Sequence, residues 1–267
     1  MCRPNQMRVL VGCECSGIVR EAFRAKGFDA WSCDLLAAHD NSPYHLHKDL
    51  RLALGDHWDA AIFHPPCTYL CSSGLHWNGR IDGRAAHTEA ALEFVRLLLG
   101  ANIPHIALEN PVGCISTNIR PYEQKIQPWQ FGHDASKGTC LWLKGLPKLR
   151  HTKIIPPHGW SLVKCAVDCV PCPDCGEPYC EEHDKHYADC DCIGPTMDEA
   201  TYRRVEGYEF ATLQSPAPRP VWGNQTPSGQ NKLGPSKDRW MKRSQTYTGI
   251  AIAMANQWGD FLINKYL

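Results

Sequence analysis

The segment Asp59-Ala-Ala-Ile-Phe-His-Pro-Pro-Cys-Thr-Tyr69 decides the fold of this chain. Its first half is an apolar run of the kind that forms a buried strand. Pro65-Pro66 ends that strand, because proline cannot donate to a strand ladder. Cys67 is therefore expected just beyond the carboxyl end of a buried strand, which is where open α/β sheets place their reactive groups.

A second strand-like run, Ile103-Pro-His-Ile-Ala-Leu108, is followed by Glu109-Asn110-Pro111. If both runs are strands of one sheet, the thiol of Cys67 and the carboxyl of Glu109 are able to face a single substrate. Each residue also has a purely structural explanation. Most free cysteines are small core residues, and a glutamate is able to cap a helix.

The chain opens with a βα unit of the kind that binds nucleotides. Residues 8–12 predict a first strand, a turn of small residues ends at Gly17, and an amphipathic helix follows. Residues 28–33 predict a second strand, and Asp34 at its end is placed to hold ribose hydroxyl groups. Asp49, which precedes the Cys67 strand, is able to accept from an adenine amino group.

Three later elements complete the large domain. Residues 84–99 predict an amphipathic helix, residues 139–143 a short strand, and residues 247–258 an apolar helix that packs back on the large domain. The predicted buried face of the first of these helices carries Ala90, Ala91, Phe94, Leu97 and Leu98.

Charge and cysteine content restrict the class of protein. The net charge is zero, but eight acids and one lysine between Asp168 and Asp191 give that block −7 and leave +7 on the rest. A basic body with an acidic insert suits a polyanionic ligand. No apolar run approaches the roughly 20 residues of a membrane span, and residues 1–7 are too polar for a signal peptide. Fifteen cysteines then imply a reducing compartment, where thiols serve as ligands or nucleophiles.

The texture of the sequence divides the chain into three parts. Residues 1–148 form the predicted catalytic domain, 149–239 a small, irregular recognition domain, and 240–267 the returning helix. Within the recognition domain, residues 225–237 are polar, basic and rich in glycine and proline, which fits a loop that contacts nucleic acid. Across the chain, the candidate phosphate contacts are Lys137, Lys153, Arg203, Arg204, Lys232 and Lys237.

Cys67 and Glu109 together suit one reaction. Carbon 5 of cytosine is too weak a nucleophile to accept a methyl group unaided. A thiolate that adds to carbon 6, with a carboxylic acid protonating ring nitrogen 3, makes carbon 5 an enamine carbon that attacks a sulfonium methyl group. Loss of the carbon 5 proton then expels the thiol.

These segments resemble the DNA cytosine-5 methyltransferases, in particular the compact forms carried by phages and prophages. The similarity follows the family's order through residues 9–17, 32–34, 48–49, 59–74, 107–111, 139–143 and 243–259. It implies that Cys67 is the nucleophile of the Pro-Cys motif and that Glu109 and Asn110 hold and protonate the cytosine. It also implies a monomer that uses S-adenosylmethionine, acts on double-stranded DNA without a membrane, and works in the cytoplasm of a bacterial or phage-infected cell.

The same resemblance assigns further site residues. Those implied to bind S-adenosylmethionine are Gly12, Cys13, Glu14, Ser16, Gly17, Asp34, Leu35, Asp49, Pro65 and Gly249. Those implied to contact the substrate are Pro66, Ser73, Lys137 and Thr139. The chain departs from the family pattern where Glu14 and Ser16 replace glycines and where Pro111 replaces a valine. Lys137 and Thr139 are only the nearest positions to the family's Gln-x-Arg-x-Arg element.

A cluster of cysteines and histidines predicts structural zinc. Cys172-Pro-Asp-Cys175 has zinc-knuckle spacing, Cys190-x-Cys192 is able to complete a tetrahedral site, and nine candidates would allow one or two ions. A closed thiolate site leaves no open position, so the metal would fold this segment and take no part in catalysis. The candidates, with pairings left open, are Cys165, Cys169, Cys172, Cys175, Cys180, His183, His186, Cys190 and Cys192.

Other functions fit parts of the same sequence. His87-Thr-Glu89 and Pro171-Cys-Pro-Asp-Cys175 echo the zinc deaminases, although the two motifs lie in different predicted domains. His64-Pro-Pro-Cys67 is a distorted echo of the amino-group methyltransferases, which carry an aromatic residue in place of the cysteine. A zinc-stapled DNA-binding protein with an inactive catalytic domain is the third alternative, and binding of S-adenosylmethionine would separate it from an enzyme.

The resulting expectation is an α/β protein. Its fold is a Rossmann-like doubly wound sheet of the S-adenosylmethionine-dependent methyltransferase type, joined to a small recognition domain at residues 149–239 that contains a zinc insert at residues 165–192. The expected activity is methylation of carbon 5 in a flipped cytosine, because carbon 6 is unreachable inside the base stack.

Overall fold

The computed structural model describes residues 6–164, 169–171, 178–180, 185–186, 201–234, 236 and 245–265. The chain divides into two compact units. The first unit comprises residues 1–133, 137–152 and 235–267, and the second comprises residues 134–136 and 153–234.

A seven-stranded sheet forms the centre of the first unit. Its strands are β1 (Arg8–Gly12), β2 (Asp29–Asp34), β3 (His45–His47), β4 (Ala60–Phe63), β5 (His105–Pro111), β6 (Gln124–Ile126) and β7 (Thr139–Lys144). They are ordered β3-β2-β1-β4-β5-β7-β6, parallel from β3 to β5, with β7 antiparallel to both of its neighbours. This is the 3-2-1-4-5-6 order of doubly wound nucleotide-binding sheets with one antiparallel strand inserted. The mixed α/β architecture is consistent with a Rossmann-like methyltransferase fold.

The central strands are apolar because both faces of the sheet are covered. Val9 and Val11 of β1 belong to the core cluster on one face, and Leu10 belongs to the cluster on the other. Ile62 and Phe63 of β4 divide between the two clusters in the same way. The predicted strand of the 59–69 segment is confirmed, and its apolar character follows from this double burial.

Helices provide that cover. They are α1 (Ile18–Ala25), α2 (Leu50–Ala53), α3 (Ser72–Leu75), α4 (Arg84–Leu99), α5 (Ile115–Asn118) and α6 (Thr248–Lys265), with a 3-10 turn at Pro128–Gln130. Helices α1 and α6 pack together on one face. Helix α4 packs on the other face. In the described part of the chain, no helix combines the length and apolarity that a bilayer crossing requires.

The buried face of α4 differs from the prediction. Thr88, Leu92, Val95 and Leu98 are buried, whereas Leu97 is 45% exposed. The face centred on Ala91 and Phe94 is only partly buried. The prediction is confirmed for Leu98 and wrong for Ala90 and Leu97, which are exposed. Because α4 has apolar residues on more than one side, periodicity alone did not identify the side that meets the sheet.

Strand β5 is longer than expected. Glu109 and Asn110 were predicted to follow the strand, but both lie inside it, opposite Leu141 and Cys140 of β7. The antiparallel pairing with β7 continues to Pro111 and keeps this segment extended. The side chains of Glu109 and Asn110 therefore project from a regular β-strand and not from a loop.

The second unit contains more regular structure than its sequence suggested. Strands β8 (Ser161–Lys164), β12 (Thr201–Val205) and β13 (Tyr208–Thr212) form an antiparallel sheet in the order β12-β13-β8. Glu206 and Gly207 both have positive φ, as a two-residue hairpin turn requires. Alternate residues of β13 are buried, which is the period of a half-buried strand. Three shorter strands, β9 (Cys169–Pro171), β10 (Pro178–Cys180) and β11 (Lys185–His186), pair in the order β11-β10-β9.

Candidate active site

The candidate active site lies at the carboxyl ends of β4 and β5, which pair in parallel. Cys67 follows β4 after the two prolines, and Glu109 lies near the carboxyl end of β5. The charge of Glu109 acts on the ionisation of Cys67, as does that of Lys137. The neighbouring strands thus bring a thiol, a carboxyl and an ammonium group into one region.

Asn110 and the backbone fix the loop that carries Cys67. The Asn110 Nδ2 donates to the carbonyl oxygen of Pro65 at 2.8 Å. The amides of Leu70 and Cys71 both donate to the Cys67 carbonyl oxygen at 3.0 Å. Cys67 therefore begins a helical turn tied to β5, which limits where its sulfur is able to go.

Cys67 and Cys71 form a thiol pair one helical turn apart. Their side chains share a hydrogen bond, which together with burial raises the pKa of the Cys67 thiol. The same bond, with those from Ser73 and the Gly74 amide, lowers the pKa of Cys71 to about 5. Ser73, predicted to contact the substrate, has its Oγ 3.2 Å from the Cys71 Sγ.

Glu109 is a buried carboxylate, 8% exposed, with several partners. Its Oε2 lies 2.7 Å from Nδ1 of His64. Burial opposes ionisation, but the His64 hydrogen bond, the charge of Lys137 and a hydrogen bond from Thr139 outweigh it and lower the pKa of Glu109. The carboxyl is therefore ionised at neutral pH in the free protein. His64 was not among the predicted site residues, and no local sequence signal connects it to a glutamate in another strand.

A narrow cleft adjoins Glu109. Its lining includes Lys137 and Thr139, Thr246 and Tyr247 from the segment before α6, and Ile250 from the first turn of α6. The cleft has a volume of about 10 Å³, which is room for about one water molecule. A larger guest must displace one of these walls.

A second, larger cavity of about 300 Å³ lies at the ends of the strands. Five of the residues predicted to bind a cofactor line it: Cys13, Asp34, Leu35, Asp49 and Pro65. Pro66, predicted for the substrate, lines it too. The remaining lining residues were not predicted; they are Cys33, Leu50, Arg51, Tyr69, Leu70, His87, Ala91 and Phe94.

The walls of this cavity combine acids with flat and apolar groups. The Asp49 side chain caps α2 and accepts from the amide of Arg51 at 2.9 Å, and this bond lowers the pKa of Asp49. Tyr69 and His87 stack with ring centroids 5.1 Å apart. Such a mixture suits a ligand with a planar base and hydroxyl groups.

Glu14 faces the helix that follows it. It is 6% exposed, and its carboxylate accepts from the amides of Val19 at 2.8 Å and Arg20 at 3.3 Å and from the hydroxyl of Ser16 at 3.1 Å. A carboxylate at the amino end of α1 is stabilised by the helix dipole. This capping role explains why a glutamate is accommodated in the small-residue turn. Gly12, Glu14, Ser16 and Gly17 are not among the cavity's lining residues.

Gly249 lines neither the narrow cleft nor the large cavity. Its amide donates to Nε2 of His133 at 2.8 Å, and a Cβ at this position would collide with the carbonyl oxygen of Phe131. Within the described structure, glycine is needed there for close packing of the start of α6.

The predicted zinc ligands lie largely outside the described residues. Cys169, Cys180 and His186 fall in β9, β10 and β11, where the backbone alone is described. Six candidates lie outside the described residues: Cys165, Cys172, Cys175, His183, Cys190 and Cys192. In the remainder of the described chain, no group of three His, Cys, Asp or Glu side chains is able to hold a metal ion.

The residues of the deaminase-like motif have other partners. His87 stacks on Tyr69, and Glu89 pairs with Arg96 at 2.7 Å on the exposed side of α4, where its side chain is 57% exposed. This arrangement is that of a solvated helix surface.

Comparisons with known proteins complete the description. No protein-family model and no curated protein sequence matches the chain. Among solved structures, the 16S rRNA methylase RmtB matches with a TM-score of 0.29 and 16% identity over 51% of this chain. The match spans 54% of the length of that methylase. A likeness at this TM-score carries no argument about activity.

Proposed function

We propose that this protein is a DNA cytosine-5 methyltransferase that uses S-adenosylmethionine and forms a transient bond between Cys67 and the base. One observation carries the proposal. Pro65, Pro66, Tyr69 and Leu70, on either side of Cys67, line the large cavity, while Glu109 and Lys137 line the narrow cleft. The neighbours of Cys67 thus border a space suited to a methyl donor, and Glu109 and Lys137, whose charges act on Cys67, border a second space.

The large cavity fits the proposed cofactor. Its volume of about 300 Å³ is at the lower end of the range of small-molecule sites. Asp34 and Asp49 line it, as do Tyr69 and Phe94. In the proposed complex, Asp34 accepts from ribose hydroxyl groups and Asp49 from an adenine amino group. When bound there, S-adenosylmethionine would supply an electrophilic methyl group.

The protein's own groups would perform the remaining steps. A water molecule takes the proton of Cys67 as its sulfur bonds to carbon 6 of the flipped cytosine. Glu109, which is ionised in the free protein and takes up a proton when the base binds, transfers that proton to ring nitrogen 3, which directs the electron pair to carbon 5. After methyl transfer, water removes the carbon 5 proton, and the electron pair of that bond forms the double bond to carbon 6 and expels Cys67 as a thiolate. Ring nitrogen 3 then returns its proton to Glu109. Lys137 favours the ionised form of Cys67.

Duplex DNA is the proposed substrate, and the second unit is proposed to bind it. Arg203 and Arg204 are exposed on β12, which lies at the edge of its sheet. Lys153 is exposed in the same unit. Basic side chains on an exposed edge suit phosphate contacts.

Bisulfite sequencing of DNA from cells that express the protein tests this function. We expect protected cytosines at one recurring sequence, and none in cells that express Asp34→Ala. The purified wild-type protein is expected to bind S-adenosylmethionine, with affinity about tenfold lower or more in Asp34→Ala, because a ligand hydroxyl then lacks its acceptor. Cofactor binding without methylcytosine would contradict the proposed reaction, and absence of both would favour an inactive DNA-binding protein.

We also propose that residues 165–192 bind structural zinc through their clustered thiols. Metal analysis of the protein, purified without chelator, is expected to find one or two zinc ions per chain. Removal of the metal should speed amide hydrogen exchange within residues 165–192 while leaving the seven-stranded sheet protected. Unchanged exchange in that segment after removal would contradict a folding role for zinc.

A further inference from the structure

His64 is held by the strands on both sides of β4. Its amide donates to the carbonyl oxygen of Gly12 at 2.9 Å, which ties the backbone to β1. Its Nδ1 lies 2.7 Å from Oε2 of Glu109, which ties the ring to β5. The side chain is 9% exposed. A ring with so little freedom fixes the orientation of the carboxyl that it contacts.

The two ring nitrogens have different surroundings. A carboxylate only accepts hydrogen bonds, so Nδ1 carries the shared proton. Nε2 is buried and has no hydrogen-bond partner among the described residues. Leaving a buried polar atom unpaired is unfavourable. Among the described residues, the hydrogen bond that this buried ring makes is therefore the one between Nδ1 and Glu109.

We propose that His64 is a positioning residue that strengthens Glu109 as the acid for the flipped base, an inference that rests on the function proposed above. Oε2 is committed to His64, which leaves Oε1 for ring nitrogen 3. As the O–H bond at Oε1 breaks and the N–H bond forms, the electron pair remains on the carboxyl group. The hydrogen bond from Nδ1 stabilises that charge, and His64 keeps its own proton throughout.

Other groups also act on Glu109, and they are unaffected by a change at position 64. Lys137, in the segment before β7, stabilises the carboxylate, and Thr139 of β7 donates a hydrogen bond to it. Cys67, beyond β4, is another titratable group whose ionisation responds to the charge of Glu109. A substitution of His64 therefore isolates the contribution of one hydrogen bond.

Three substitutions separate this role from mere packing. His64→Asn keeps an N–H donor near the position of Nδ1, His64→Gln carries the same amide one bond further, and His64→Leu has no donor. We expect the Asn variant to form the base adduct at close to the wild-type rate. In the Gln and Leu variants, the rate of adduct formation should be about 10- to 100-fold lower, which is the usual cost of removing a residue that orients a reactive group. The KM for DNA should be unchanged.

The pH profile provides a readout that packing alone would not change. In His64→Leu, burial of Glu109 is no longer opposed by the histidine, so the pKa of Glu109 rises. Glu109 acts in its protonated form, so the alkaline limb of the rate profile should move to higher pH. In His64→Asn this limb should stay in place. Equal rates and equal alkaline limbs in the Asn and Gln variants would overturn the proposal, and this comparison holds even if the Leu variant does not fold.

A titration of the protein alone keeps this inference separate from the proposed reaction. The carboxyl carbon of Glu109, followed by nuclear magnetic resonance, should titrate at higher pH in His64→Gln than in wild type and His64→Asn. The same titration in all three proteins would overturn the inference whether or not the protein methylates DNA. Failure of the wild-type protein to form an adduct would instead remove the proposed reaction, while the titration would still decide the role of His64.

Discussion

Replacing Cys67 with serine is expected to abolish DNA methylation while binding of S-adenosylmethionine and DNA persists. A serine hydroxyl is a far weaker nucleophile at neutral pH, and the rate should fall by about 10⁴-fold or more, as when other covalent nucleophiles are removed. The direct measurement uses a duplex with 5-fluorocytosine at the methylated position. Fluorine replaces the proton that must leave, so the wild-type protein should stay joined to DNA through residue 67, whereas the variant should form no adduct.

Cys71→Ser is the matched control for this experiment. The same change is made four residues away, in the other member of the thiol pair, and the sulfur that bonds to the base remains. The adduct should therefore persist, and loss of the hydrogen bond that raises the pKa of Cys67 should ease ionisation of the nucleophile. An adduct that survives in Cys67→Ser but disappears in Cys71→Ser would assign the nucleophile to the other sulfur.

Glu109→Gln has the second largest expected effect. Glutamine keeps an acceptor for the His64 hydrogen bond and nearly the same volume, so the fold should be retained, but it cannot deliver a proton to ring nitrogen 3. We expect the rate of methylation to fall by about 10²- to 10⁴-fold, the usual contribution of a general acid. The affinity for S-adenosylmethionine should be unchanged because Glu109 does not line the large cavity.

Glu89→Gln is the control for removal of a carboxylate. Glu89 is exposed on α4 and paired with Arg96. Its loss should change neither the methylation rate nor, beyond about 0.5 kcal/mol, the free energy of unfolding. If Glu89→Gln were inactive and Glu109→Gln active, the proposed acid would be wrong and the histidine–glutamate motif of α4 would require a catalytic explanation.

The central strands were predictable because burial on both faces of the sheet requires an uninterrupted apolar run in the sequence. Val9, Leu10 and Val11 are buried on alternating faces, and only a strand covered on both sides requires such an uninterrupted apolar run. The prolines after β4 and the acid after β2 were readable for the same reason, since each marks a strand end. These local signals were enough to put Cys67 and Glu109 at one edge of a sheet.

The faces of α4 were not predictable from the same reasoning. Ala91 and Phe94 line the large cavity, whereas Leu92 and Val95 contact the sheet. A cavity and a core both favour apolar side chains, so helical periodicity does not distinguish them. The β12–β13 hairpin is a different case. Its alternating residues and the Glu206-Gly207 turn were visible in the sequence but were outweighed by the surrounding prolines and cysteines.

The sequence by itself determined the succession of strands and helices and the chemical groups at the strand ends. These features depend on the period of apolar residues and on the positions of prolines, and both are set within a few consecutive residues. Only the tertiary structure decided which partners those groups have. Glu14 caps α1, Asn110 holds the loop of Cys67, and His64 contacts Glu109 across 45 residues of sequence. Each of these contacts depends on the order and register of strands that are distant in the chain, and hydrogen bonds of this kind leave no periodic signal in either segment.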